Sequence, residues 1–339
     1  MESFTHLFTH RYLTTLPGSL SKQAHREGFL LRIEWNGLCG YADLMAWPEL
    51  GDLTIEEELL SLLRNQPTDL AKNALKMAWS DALARSEDRS LWTHTPEPPR
   101  SHYLAGDFGD LKNLDYPRIA SQGFASIKVK WPQKQSDTSF DEALEILSLK
   151  NPDFHQNRLR LRIDWNGRAS PQALHSWLKK LSSETRSMIE FLEDPFPKED
   201  LAYWQELKSS FPEIPLFVDR ADASDERLLE LADGWVLKPA LQDLESLQEK
   251  AHGKKISYTQ YLGHALGAAW AAWSAAKHWG GTCVDSGLIY SSKTEGESSF
   301  FSDAIACSSS AFSTHVLRQG LGIGWTESDF NSLTWSPWR

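Results

Sequence analysis

From Phe124 onward the chain repeats one unit: a short apolar run, a charged residue at or near its end, then a helical pattern. Strands alternating with helices predict a parallel α/β sheet, because parallel strands need a crossover long enough to be a helix. The runs are 124–130, 159–164, 188–193, 216–219, 235–238 and 255–258. A capping box, Ser139-Phe140-Asp141-Glu142, opens a helix after the first run. Ser170-Pro171 supplies an N-cap with proline at the first helical position, and Leu174, Trp177, Leu178 and Leu181 follow on one helix face. Further helices are expected at 224–232 and, Ala-rich, near 262–277. So many βα units point to a barrel rather than an open sheet.

The first hundred residues read differently. Residues 28–43 are two alternating runs flanking Asn36-Gly37, a hairpin signal because both positions of a type I′ turn need positive φ. Residues 45–52, with Trp47-Pro48 and Gly51, read as a loop. Thr54-Ile55-Glu56-Glu57 opens a helix with a capping box, and a second helix is expected over 71–85. This is an antiparallel α+β unit, and the three prolines within 93–100 mark its boundary. The motif Arg32–Gly37, RIEWNG, returns as RIDWNG at 162–167 with unmatched flanks. The first copy is a hairpin turn, whereas the second ends a strand and precedes a helix.

Composition narrows the function class. Charged residues are 24% of the chain and the net charge is −11, with no Lys/Arg run, which argues against nucleic acid or an anionic membrane as partner. Cys39, Cys283 and Cys307 make neither a metal spacing nor a disulfide framework, which fits a reducing cytoplasm. The N-terminus carries no signal-peptide pattern, and the most apolar stretch, 261–276, is too short to cross a bilayer. The fifteen tryptophans are scattered, as filler for core and domain interface would be, rather than grouped as in a carbohydrate-binding surface. The sequence sets no oligomeric state.

The charged strand ends carry the chemistry. Lys128 and Lys130, Asp164, Glu193, Asp219 and Lys238 stand at the C-terminal ends of five consecutive runs, where active sites sit in a parallel barrel. Side-chain alternation lets each face inward: Ile127 and Val129 oppose the two lysines, and Arg160, Arg162 and Asp164 oppose Leu159, Leu161 and Ile163. A single charge at a strand end is ordinarily a solvated terminus; a series of them is not obtained that way. Three carboxylates converging in a barrel mouth need a cation, and oxygen ligands without His or Cys suit Mg²⁺, with Mn²⁺ as a substitute. With lysines on either side, such a site suits removal of a proton α to the carboxylate of a small-molecule substrate.

The order Lys-x-Lys, Asp-x-Asn, Glu-x-Pro, Asp, Lys-Pro resembles the enolase superfamily, muconate-lactonizing subgroup, whose sites are known for a basic residue beside Mg²⁺. Within it the chain is most similar to the o-succinylbenzoate synthase family. GYADLMAWPELGDLTIEEEL at 40–59 resembles that family's G-x-G-E…P-L-P-G-F…T-x-E-E segment, and NALKMAWSDALAR at 73–85 its A-x-x-M-A-x-x-D helix. The resemblance implies an α/β fold: an N-terminal α+β capping domain at 1–98, a modified TIM barrel, (β/α)7β, at 99–310, and a segment 311–339 returning to the cap. Cap loops near 17–25 and 45–52 would enclose the substrate.

It further implies a Mg²⁺-dependent syn-dehydration in menaquinone biosynthesis, from 2-succinyl-6-hydroxy-2,4-cyclohexadiene-1-carboxylate to o-succinylbenzoate. Asp164, Glu193 and Asp219 would be metal ligands. Lys130 would act as base and then as acid on the same face, Lys238 would stabilise the enediolate from the opposite face, and Lys128 would depress the pKa of Lys130. Arg162, Asn166 and Gly287 would contact substrate. N-succinylamino acid racemisation, which shares the deprotonation, and a barrel reduced to binding remain as rivals. Ala42-Asp43, Asp194 and Arg220 depart from the family pattern, and the segment 256–263 is short and lacks the Asp-x-Asp of dipeptide epimerases.

Overall fold

The computed structural model describes residues 4–15, 25–131, 156–222, 224–251, 253–278, 283–289, 293–295, 300–306 and 309–338. The chain opens with strands β1 (His6–Thr15), β2 (His25–Trp35) and β3 (Leu38–Met45), paired antiparallel in that order. The turn between β2 and β3 is the expected one: Asn36 and Gly37 have φ of 23° and 90°, conformations that asparagine and glycine tolerate best. Helix α1 (Ile55–Leu63) carries the capping box, with the Glu57 amide donating to the Thr54 hydroxyl and the Thr54 amide to the Glu57 carboxylate. Helix α2 (Asp69–Ser86) starts two residues earlier than expected because Thr68, not a later residue, caps it.

The second sheet is wholly parallel and runs in chain order. Its strands are β4 (Tyr103–Asp107), β5 (Ser126–Lys130), β6 (Arg160–Asp164), β7 (Ile189–Glu193), β8 (Leu216–Asp219), β9 (Gly234–Leu237) and β10 (Lys255–Tyr258). Strand β4 escaped the sequence reading because it follows the proline-rich stretch and carries no clean alternation. Segment 283–287 closes the ring: it bridges Ile256 through Cys283 and Thr259 through Gly287 on one edge, and Ser101 through Ser286 on the other. The result is a TIM-like barrel beside an N-terminal capping sheet, the fold class expected.

Helices cover the barrel: α3 (Tyr116–Ser121), α4 (Pro171–Lys180), α5 (Leu201–Ser210), α6 (Glu226–Leu231), α7 (Leu244–Lys250) and α8 (Ala265–His278). Helix α4 begins at its predicted N-cap, where the Ala173 amide donates to Ser170. The helix expected from Ser139 lies outside the described residues. Inside the barrel, Phe191 and Phe217 stack with centroids 3.9 Å apart and, with Val236, form an apolar plug below the strand ends. The tryptophans are mostly core: Trp131 and Trp165 stack at 3.9 Å with Trp177 edge-on to both. Among the described residues no helix is long and apolar enough to cross a membrane.

Cap and barrel are joined at several points. Strand β1 also pairs antiparallel with β11 (Lys293–Glu295), which lies within the span assigned above to the barrel, and with β12 (Ser336–Pro337) near the C-terminus. Asp81, fully buried in α2, accepts backbone N–H bonds from Tyr41 and Ile323 and an ion pair from Arg85. Asp43, one of the departures from the family pattern, accepts from the Tyr12 hydroxyl and from the His264 amide at the start of α8.

Candidate active site

With β4 as first strand and segment 283–287 as eighth, the lysines of β5 stand on the second strand and Lys238 directly follows the sixth. In an eight-membered ring those positions are diametrically opposed. Asp164, Glu193 and Asp219 end the third, fourth and fifth strands, filling the arc between them. Lys130, Asp164 and Glu193 are register partners across adjacent strands and so share one inward-facing layer. Lys128 and Arg162 are paired two residues earlier, one layer deeper.

The ionic geometry follows from that layering. The buried Lys128 ammonium reaches up to both Glu193 oxygens, at 2.7 Å each, and to Asp164 Oδ2 at 3.1 Å. Burial alone would lower its pKa, but Asp164 and then Glu193 outweigh that and raise it. Lys238 pairs with Asp219. Burial pushes the Asp219 carboxyl up, while Lys238 and Lys128 pull it the other way and hold it at about 2. Glu193 is raised to about 7, by burial first, with Lys128 opposing and the Asp164 and Asp219 charges adding to the rise. Lys130 is shifted in the opposite direction to Lys128. Burial, helped by the Lys128 and Lys238 cations and opposed mainly by Asp164, holds its ammonium below the ordinary lysine range.

Among the described residues no three acidic, His or Cys side chains stand as a ready metal cluster; the three carboxylates are turned to lysines instead. Their chemistry nevertheless fits a hard divalent cation. They are oxygen donors on adjacent strands, and burial, with the repulsion of Asp164 and Asp219 added, penalises the Glu193 charge in the way that such a cation relieves.

The three lysines, Asp164 and Asp219 line a cavity of about 380 Å³ at the C-terminal ends of the strands, whereas Glu193 is buried and not part of its lining. Lys128, Lys130, Asp164, Asn166, Asp219 and Lys238 form its polar wall. Leu104, Phe124 and Ile289 add apolar lining, and Trp47 and Leu50 of the cap loop form part of it as well. Gly287 also borders the cavity. Asn166 has φ of 50°, so like Asn36 in the cap hairpin, at 23°, it has a positive φ. Arg162 is the exception. Its guanidinium is 0% exposed, bonded to Glu190, His102 and the Asp285 carbonyl, and does not reach the cavity. Two residues before Asp164 on one strand, it faces inward but one layer too low.

Sequence reasoning missed three contributors. His102 lines the cavity from the residue before β4. Tyr261 and Arg220 tie the cap loop to the barrel: the Tyr261 hydroxyl donates to Asp52 at 2.6 Å and accepts from Arg220 at 2.6 Å, and Arg220 also donates to the Leu50 carbonyl. The Trp47 indole donates to the Tyr261 carbonyl at 3.0 Å. The cap loop near 17–25 lies almost wholly outside the described residues.

Residues 7–84 match the family described as O-succinylbenzoate synthase, N-terminal domain. The chain is 29% identical over 320 residues to an o-succinylbenzoate synthase from Bdellovibrio bacteriovorus, covering 91% of each chain. Its fold superposes on an enolase superfamily member from Listeria innocua with a TM-score of 0.71 at 16% identity, covering 98% of both chains. It also superposes on a mandelate racemase/muconate lactonizing enzyme from Roseiflexus sp. with a TM-score of 0.70 at 17% identity, covering 84% of this chain and 88% of the other. With a domain matching that family's model and a relative 29% identical over nearly its whole length, the chain is o-succinylbenzoate synthase-like, on a fold shared with these enolase superfamily structures.

Proposed function

We propose that this lyase is an o-succinylbenzoate synthase of menaquinone biosynthesis, dehydrating 2-succinyl-6-hydroxy-2,4-cyclohexadiene-1-carboxylate. The observation that carries the reading is the opposition of Lys130 and Lys238 across one cavity, with three carboxylates on the strands between them. Asp164, Glu193 and Asp219 would hold Mg²⁺. When bound, that cation draws charge from the substrate carboxylate and so stabilises the enediolate.

The protein's own groups do the rest. Lys130, buried and beside two other cations, has a free amine at lower pH than an ordinary lysine, and it removes the α-proton. The C–H electron pair passes into the carboxylate as the enediolate forms. The Lys238 ammonium meets that charge from the opposite wall. Lys130 then returns its proton to the leaving hydroxyl on the same face, the C–O bond breaks, water departs and the ring becomes aromatic. Leu104, Phe124 and Ile289 give the ring an apolar wall. A racemase reading, for N-succinylamino acids, draws on the same opposition, since two facing lysines can exchange protons on both faces.

A Mg²⁺-dependent absorbance assay on the cyclohexadiene substrate separates these readings. The wild type should consume the diene signal and Lys130→Ala should lose at least about a hundredfold in rate. No loss of signal with wild type, alongside α-proton exchange on N-succinylamino acids, would leave the racemase reading in place and remove the synthase.

A further inference from the structure

We infer that His102 is a fixed hydrogen-bond donor that binds an acceptor oxygen on the arm of the substrate distal to its metal-bound carboxylate. This rests on the function proposed above and adds a contact that the charged strand ends do not supply. The argument begins with Arg162. Its Nη1 lies 3.0 Å from His102 Nδ1, and a guanidinium can only donate. Nδ1 is therefore the acceptor, which places the ring proton on Nε2. Arg162 cannot turn away, because Glu190 holds it in a bidentate pair and the Asp285 carbonyl accepts from the same Nη1. The His102 backbone is fixed as well, its amide donating to the Ser286 carbonyl at 2.8 Å. Burial, then the Arg162 and Lys128 cations, keeps the imidazole neutral well below its ordinary range.

The free edge of the ring points to the cavity. Nε2 has no protein partner among the described residues, and His102 is part of the cavity lining. Gly287 keeps that edge open: a Cβ there would lie 3.1 Å from Cε1 and 3.3 Å from Nε2 of His102, and 2.9 Å from the Thr259 methyl. The position in the ring settles what the donor can meet. His102 stands one residue before the first strand and Gly287 on the eighth, across the ring from Asp219 on the fifth and Glu193 on the fourth. A substrate whose carboxylate sits among those ligands, with its α-carbon between Lys130 and Lys238, extends its other arm toward His102. In the succinyl-bearing substrate that arm carries a ketone and a terminal carboxylate, both acceptors.

The test compares wild type, His102→Phe and His102→Gln with saturating Mg²⁺. His102→Phe removes the donor and should raise KM by at least about tenfold while kcat changes less than about threefold. His102→Gln can accept from Arg162 with its carbonyl and present its NH₂ to the cavity, so it should recover KM to within about threefold of wild type. Binding of o-succinylbenzoate is measured beside 2-butyrylbenzoate, which lacks the terminal carboxylate, and 2-(3-carboxypropyl)benzoate, which lacks the ketone. The analogue missing the partner oxygen should bind wild type more weakly, yet bind His102→Phe as well as o-succinylbenzoate does. The inference is overturned if His102→Phe keeps the wild-type KM, or if it weakens all three ligands by one common factor. If wild type neither turns over the cyclohexadiene nor binds o-succinylbenzoate, the function reading fails by itself. The same three proteins with N-succinylamino acids, whose arm ends in the same carboxylate, then decide the role of His102 by the same KM comparison.

Discussion

Tyr261→Phe isolates the tie between cap loop and barrel. The substitution removes one oxygen and leaves the ring in its contact with Trp47, whose centroid is 6.0 Å away. Two hydrogen bonds are lost, to Asp52 and from Arg220, both with charged partners. Such bonds are worth about 1.5–3 kcal/mol when buried. Asp52 keeps the Trp47 amide at 2.7 Å and Arg220 keeps the Leu50 carbonyl, so neither is orphaned and a net loss of about 1–2 kcal/mol is expected. That cost falls on local opening of the loop, not on global unfolding, because the Asp52 bond joins the loop to the barrel and the Arg220 bond holds the Tyr261 hydroxyl in place for it. At about 1.4 kcal/mol per factor of ten, the open fraction rises by roughly 5- to 30-fold. Amide hydrogen exchange reads this directly at Leu50 and Gly51, whose N–H groups bond within the loop. Their exchange should accelerate by that factor, KM should rise by no more than it, and Tm should change little. Unchanged exchange at these amides would refute the reasoning, since the hydroxyl would then carry no closing energy.

Two further outcomes concern the lysines. Because Lys130 is held below the ordinary lysine range and acts as a free amine, kcat/KM should rise with pH through its ionisation and level off above it; a pH profile falling over that limb contradicts its role as base. Lys128→Met leaves Glu193 and Asp164 buried without their ammonium, a loss of about 3–5 kcal/mol. For a chain of 339 residues that is roughly a 4–7 °C fall in Tm without Mg²⁺, and calorimetry should find much of it restored by added Mg²⁺. A Tm indifferent to both changes would mean the carboxylates need no cation.

The barrel was readable because each strand from β5 to β9 combines a short apolar run with a charged residue at or just past its end, and that combination is local. The hairpin and the helix caps are local too, set by Asn36-Gly37, Thr54 and Ser170. What escaped was long-range. Strand β1 mixes His, Thr and Arg into its alternation and draws its regularity from partners elsewhere in the chain. His102 is a single histidine beside a proline-rich stretch, and its donor role exists only through Arg162, 60 residues away. The pairing of Tyr261 with Asp52 spans 209 residues and leaves no mark on either stretch. Arg162 shows the limit of alternation: it gives the face of a strand that a side chain takes, but not its depth in the barrel.

The pairing of β1 with strands near the far end of the chain has a consequence during synthesis. Strand β1 leaves the ribosome well before β12, which follows more than three hundred residues later. At about 5–20 residues per second, one edge of β1 waits on the order of 15–60 s for its partners. Unpaired edges recruit other chains, and polar or charged side chains on the strand are the usual protection. His6, Thr9, His10, Arg11, Thr14 and Thr15 supply them. The polar content that obscures this strand in the sequence is thus also the feature that suits an edge left open until β11 and β12 are made.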